Sequence, residues 1–162
     1  FLDKTYDELI GLKDIPNELK KESSPNFKNF QFENTNLIID QKIPTLIYTT
    51  YNLDPNWKKE IKANRILLLE PDHFNKYPIS KNVFEFIFKL SNEIEGLQIV
   101  TLNFKELLHQ INDKSKVFYK EHPFSKHFIG NEEPRDWLFK NIEADGSFFK
   151  FWKKGIKEYK LI

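Results

Sequence analysis

The sequence predicts an α/β fold: a three-layer, Rossmann-like domain with a mainly parallel sheet of about four to five strands. Three observations carry that expectation. From Ile43 onward, short β-rich runs alternate with segments of helical periodicity. That order implies right-handed crossovers and parallel strands. Arg65-Ile66-Leu67-Leu68-Leu69 is a continuous apolar run after its first residue, the mark of a strand buried on both faces. Finally, 162 residues suffice for a core without disulfides or metals, yet fall short of the roughly 200 that a TIM barrel needs.

The elements follow in chain order. Thr5-Tyr6-Asp7-Glu8 has capping-box spacing and predicts a short helix through Ile10. Pro16 and Ser23-Ser24-Pro25 then interrupt, and the polar stretch from Lys20 to Asn36 carries only scattered Phe27, Phe30 and Phe32. Leu37-Ile38-Ile39 has the makings of a short edge strand. Residues 1–43 are thus expected to be a linker or wrapping arm from a preceding domain, and residues 44–162 the Rossmann-like domain.

Thr45 to Tyr51 is β-rich and is led in by Pro44, which suits a strand start. Asp54-Pro55-Asn56-Trp57 places Pro at a first helical position. The apolar run from Arg65 to Leu69 is the second strand. Ser80 caps the best helix, with Ile79 and Phe84 spaced as a hydrophobic staple. Val83, Ile87, Leu90 and Ile94 fall on one helical face, and Gly96 follows as a C-terminal stop. Leu97 to Leu102 is a third strand. Asn103 and Glu106 open a helix carrying Phe104, Leu107, Leu108 and Ile111. Lys116 to Tyr119 is a fourth strand, and Trp137-Leu138-Phe139 a short helical or looped piece. Ser147 caps a last helix, with Phe148, Trp152, Ile156 and Tyr159 expected inward.

Composition removes several chemistries. The chain has no Cys, which excludes disulfides, Cys-ligated metals and Cys nucleophiles. Its net charge is +1, so the domain by itself lacks the basic excess of a nucleic-acid binder. No apolar run approaches the roughly 20 residues of a membrane span; no membrane partner is expected, and the protein is expected to be cytoplasmic. The absence of Met and the start at Phe1-Leu2-Asp3-Lys4 predict a domain cut from a longer protein.

Candidate chemistry lies at the strand ends, where open α/β sheets bind ligands. Tyr51, Asn52 and Asp54 follow the first strand, Glu70 and His73 the second, and Glu121 and His122 the fourth. If those strands are neighbours, the three clusters share one rim and form a candidate cofactor pocket. His73 and His122 with Asp54 or Glu121 have the chemistry of metal ligands or of an acid–base pair. They equally suit plain loop chemistry, since Asp-Pro and Glu-Pro-Asp form turns. Phosphate cradles are absent: there is no GxGxxG or GxxxxGK[ST], and the loop after the first strand has no Gly. His109 reads as a helix-face residue and His127 as a loop residue. In Phe148-Phe149-Lys150-Phe151-Trp152-Lys153-Lys154, helical spacing favours burial of Phe148, Phe149 and Trp152 over base stacking, and leaves Phe151 as a spare aromatic.

Several phrases together resemble one family. They are Phe1 to Glu8, Tyr51 to Trp57, Arg65 to Phe74, Tyr77 to Ser80, Tyr119 to Pro123, Arg135-Asp136-Trp137 and Ser147 to Lys154. They are similar to the Bacteroidetes-type, deoxyribodipyrimidine photolyase-related (photolyase/cryptochrome-like) FAD-binding proteins, and the likeness covers nearly the whole chain. The resemblance implies the C-terminal α/β domain of such a flavoprotein, with a helical FAD-binding domain of the same parent chain as its partner. FAD would sit in that domain and none in this fragment. DNA would be reached through the parent, which would act in light-dependent repair, with excited reduced FAD donating an electron to a pyrimidine dimer, or in light sensing. The α/β domain would be non-catalytic by itself; in the family such domains often hold an antenna chromophore at the strand ends, and the resemblance implies neither its identity nor its presence here. No FAD-contacting position of the family carries over to these residues. Ala144-Asp145-Gly146 departs from the turn expected before the last helix. The residues alone leave two other readings open: a stand-alone nucleotide- or sugar-handling transferase working at the same rim, and a purely structural interaction module.

Overall fold

Thr45-Leu46-Ile47-Tyr48 combines β-branched, aliphatic and aromatic side chains, which fit a pleated buried surface, and forms β1 (Thr45–Tyr48). In the computed structural model, which describes residues 5–11, 36–139, 141–143 and 146–159, all four residues of β1 are buried. Around it lie β2 (Asn64–Leu68), β3 (Leu97–Val100), β4 (Val117–Lys120) and β5 (Asn131–Glu133) in the order β3-β2-β1-β4-β5. Every pairing is parallel.

Alternation along the strands sorts the core into two layers. Leu46, Tyr48, Leu67 and Leu69 face one side, with Trp57, Ile87 and Ile94. Ile47, Ile66, Leu68, Val117 and Tyr119 face the other, with Phe104, Leu107, Leu108 and Phe128. The first side is covered by α3 (Lys81–Ser91) and the second by α4 (Phe104–Leu108). A right-handed crossover explains why. The chain steps from β1 to β2 to β3 in one direction, then returns past β1 to β4, and the reversal sends the next helix to the opposite face.

Local signals set the helix starts. The Thr5 N–H donates to Glu8 Oε2 at 2.7 Å, opening α1 (Tyr6–Ile10). Ser80 Oγ accepts from the Val83 N–H at 3.4 Å. The Asn103 N–H donates to Glu106 Oε2 at 2.8 Å. Ile79 and Phe84 both pack on the α3-side core, as a staple should.

Elsewhere the structure corrects the sequence expectations. The first strand stops at Tyr48 because Thr49 O accepts from the Asn52 N–H at 3.0 Å, closing a turn. Asp54 to Ile61 forms successive four-residue turns instead of a helix. Pro71-Asp72-His73 opens a further helix, α2 (Pro71–Lys76). Val83 points to solvent, and Phe84, Ile87 and Ser91 face the sheet. Leu37-Ile38-Ile39 is not a strand. Its backbone pairs with the Gln98 side chain, the Ile38 N–H donating at 2.7 Å and Ile38 O accepting at 2.9 Å. β5 is polar and exposed; it pairs at the edge because the Asn131 side chain donates to Ser115 O at 2.6 Å. Gly130 makes that approach possible, since a Cβ there would lie 2.7 Å from Val117 O.

The last helix, α5 (Phe148–Tyr159), is turned the other way from the expectation. Its inward arc is Phe151 and Gly155, which pack on Phe139. A Cβ on Gly155 would overlap the Phe139 ring, so the helix approaches where its side chain is missing. Phe148, Phe149 and Trp152 are 67%, 73% and 40% exposed. The interruptions expected at Pro16 and Ser23-Ser24-Pro25 lie outside the described residues, as do most of the 1–43 arm, Ala144, Asp145 and the Tyr159 side chain.

Candidate functional site

The strand order places β1 and β4 side by side although β2 and β3 intervene in the chain. This is the topological switch point, where loops diverge and leave a crevice beyond the strand ends. Three loops meet there: Thr49 to Tyr51 after β1, Glu70 to Phe74 after β2, and His122 to Phe128 after β4.

The crevice is built from stacked rings. The Tyr51 ring lies on His122 at 4.1 Å with 7° between planes. Phe124 touches both, at 5.5 Å and 5.2 Å, and meets His73 at 4.7 Å. Polar contacts set the orientation. The Tyr51 hydroxyl stands 3.3 Å from His73 Nε2. His122 Nδ1 accepts from the Phe124 N–H at 3.3 Å; Pro123 preorganises that tight turn. Nδ1 is therefore an acceptor, and the neutral ring carries its proton on Nε2.

Burial pushes both histidines below the ordinary imidazole value. Desolvation is the main cause for His73, outweighing the opposing pull of Glu70. For His122, desolvation is joined by Arg135 and His73. Tyr51 is pushed up, mainly by burial. The Tyr51 hydroxyl can donate to a bare His73 Nε2 or accept from Nε2–H, according to the His73 tautomer. With both imidazoles neutral, the front of the crevice is an aromatic surface, and the Glu70 carboxylate stands behind it.

Glu70 closes the rear. It accepts from the Phe104 N–H at 2.8 Å and meets His127 Nε2 at 3.0 Å. Its carboxylate thus opposes the first turn of α4, where negative charge is favoured. A second cleft of about 180 Å³ shares Thr49, Tyr51 and His122 with the crevice and adds Asn52, Lys120, Glu121 and Arg135. Glu121 Oε1 pairs with Arg135 Nε at 3.4 Å, and Asn52 Nδ2 is buried without a hydrogen-bond partner among the described residues.

Of the residues expected at the rim, Tyr51, Glu70, His73 and His122 come together in the crevice. Asn52 and Glu121 stand in the adjoining cleft. Asp54 is in neither: its Oδ1 accepts from the Asn56 N–H at 2.8 Å and caps a turn. Among the described residues no three His, Asp or Glu side chains converge as a metal-ligand set. Sequence reasoning missed Phe124 and His127. The His-Pro step ahead of Phe124 signals the turn that folds its ring back. Nothing local signals that His127 reaches Glu70, 57 positions away.

A dinucleotide does not fit this rim. The turn from Thr49 to Asn52 carries side chains where a pyrophosphate needs bare backbone N–H groups. A single planar ring suits the walls. The cavity itself is about 30 Å³, room for a water or two, and the Tyr51 ring forms one of its walls. Tyr51 is 51% exposed and anchored at its tip by one contact with His73, so a ring could take its place. No family model, curated protein or solved structure matches the chain.

Proposed function

We propose that this chain is the α/β domain of a photolyase/cryptochrome-like flavoprotein of the cytoplasm, and that its strand-end crevice holds a conjugated antenna ring. The observation that carries the reading is the crevice at the β1/β4 switch point, walled by Tyr51, His73, His122 and Phe124. Stacked and edge-on aromatic contacts favour a flat π-system. The missing phosphate cradle argues for a ring without a pyrophosphate. The sequence phrases shared with the photolyase-related proteins supply the rest of the reading. The parent's FAD belongs to a helical partner domain, the parent contacts DNA, and this domain is not catalytic alone.

In this role the chain's own residues bind and orient. Tyr51 swings from its seat on His122, and the ring stacks there in its place. The freed His73 Nε2, which stands 3.3 Å from the Tyr51 hydroxyl, then offers a polar contact to the ring edge. Absorbing and passing on light would be the chemistry of the bound ring.

The test is fluorescence titration of the 162-residue chain with riboflavin, a pterin and a deazaflavin. At least one should bind, and His122→Ala should weaken it by roughly tenfold, the loss of one stacking contact. Binding of none, or purification of the chain with stoichiometric FAD, would overturn the assignment.

A further inference from the structure

The exposed aromatic face of α5 has no role in that reading. At about 100° per residue, α5 divides into three arcs. Phe151 and Gly155 face Phe139, and Glu158 accepts from the Asn141 side chain at 2.7 Å. Phe148, Trp152, Ile156 and Phe149 form the next arc. Lys153, Lys157, Lys150 and Lys154 form the third, all exposed. Lys150, Lys153 and Lys157 make no ion pair among the described residues. Beside the aromatic arc, Trp137 and Leu138 are also exposed. With Phe139, Ile142, Phe148 and Trp152 they line an open cleft of about 520 Å³. Arg135 stacks over Trp137 at 4.3 Å and adds a cation at its margin.

We propose that α5 and the adjoining Trp137–Leu138 segment form a peripheral contact with an anionic lipid surface. A helix with Trp and Phe on one arc, Lys on the next and little net hydrophobicity lies flat at a headgroup boundary. The aromatic arc enters the acyl region, the cleft accepts chain ends, and the lysines extend to the phosphates. Among the described residues no helix is long and apolar enough to cross a membrane; a surface contact needs none.

Other occupants fit less well. Base stacking needs free ring faces with cations interleaved. Here Phe148 is stacked on Trp152 at 14° and sits edge-on to Phe149, and the lysines are segregated. A second copy in a two-fold pair would set the same patch against itself, lysine against lysine. Protein interfaces deplete Lys at their core.

The test is co-sedimentation of the 162-residue chain with vesicles of phosphatidylcholine alone or with about one quarter phosphatidylglycerol. Binding should need the anionic lipid, shift tryptophan emission to the blue, and fall away at about 0.5 M salt. Lys150→Gln and Lys153→Gln should each weaken it roughly fivefold. Phe149→Glu should abolish it while far-ultraviolet dichroism stays unchanged. Equal binding to neutral vesicles, no binding, or binding indifferent to Phe149→Glu would overturn the proposal. So would loss of a dimer, or of oligonucleotide binding, on Phe149→Glu in a chain that ignores vesicles.

Discussion

The crevice and the α5 face are both aromatic, but they are held in opposite ways. In the crevice, rings grow from the ends of paired strands, and polar handles pin them: Tyr51 to His73, His122 to the Phe124 N–H. On α5 the exposed rings Phe148, Phe149 and Trp152 touch one another, and Trp152 meets Phe139. A ring on a loop beyond a paired strand is placed by the ladder behind it, whereas a ring on α5 depends on how that helix docks on Phe139. The first arrangement suits a shaped pocket and the second an adaptable surface.

Breaking the sheet should cost most. Leu67→Ala empties a fully buried site in the central layer and should lower stability by roughly 2–5 kcal/mol, read from urea unfolding. The crevice should melt with the sheet; a crevice that survives would separate the two. Gly155→Val tests the other side of the comparison. Its side chain would overlap Phe139, so α5 should undock and Trp152 emission should change. Sheet stability should shift by less than about 1 kcal/mol, the range of a surface change.

Glu133 tests how β5 is tied to the turn beside β1. Desolvation would raise its carboxyl, but hydrogen bonds from Lys58 and Trp57 prevail and hold it below 4.5. Lys58 Nζ lies 2.7 Å away and the Trp57 indole N–H donates at 2.9 Å. Glu133→Gln should cost about 1–3 kcal/mol. The folded value is depressed, so this contribution is full above 4.5 and fades as pH falls through the folded value.

The histidines give a smaller signal. Folded His73 and His122 should titrate below 6.5 by proton NMR. Below 6.5 the unfolded chain takes up protons first, so the folded state should lose stability as pH falls. Titration at or above 6.5 would break the picture of two desolvated, neutral crevice histidines. Smallest is Tyr51→Phe, which removes one partly exposed hydrogen bond. It should change stability by under about 1 kcal/mol and move the His73 titration alone.

Much of the fold is legible because burial writes itself into periodicity. The run from Ile66 to Leu69 and the caps at Ser80 and Asn103 announce their elements without help from distant residues. β5 is not legible: Asn131-Glu132-Glu133 has no apolar signal, and the Asn131 bonds across to Ser115 and Val117 bring it in. The site shows the same division. Clusters after the first, second and fourth strands are visible as polar loop residues, and a parallel sheet must put them on one rim. Whether Asp54 points into that rim or caps a turn depends on which N–H groups lie nearby.

By itself, then, the sequence determined the types of the strongly periodic elements and the parallel sheet, which sets the loops of Tyr51, Glu70, His73 and His122 beyond the strands' carboxyl ends. Periodicity and capping are short-range, and each residue reports them locally. Only the tertiary structure decided the strand order, the Glu70–His127 contact and the outward face of α5. Those depend on groups far apart in the chain. Phe139 and Gly155 show it: the missing Cβ sets which arc of α5 docks, and so which aromatics remain in solvent.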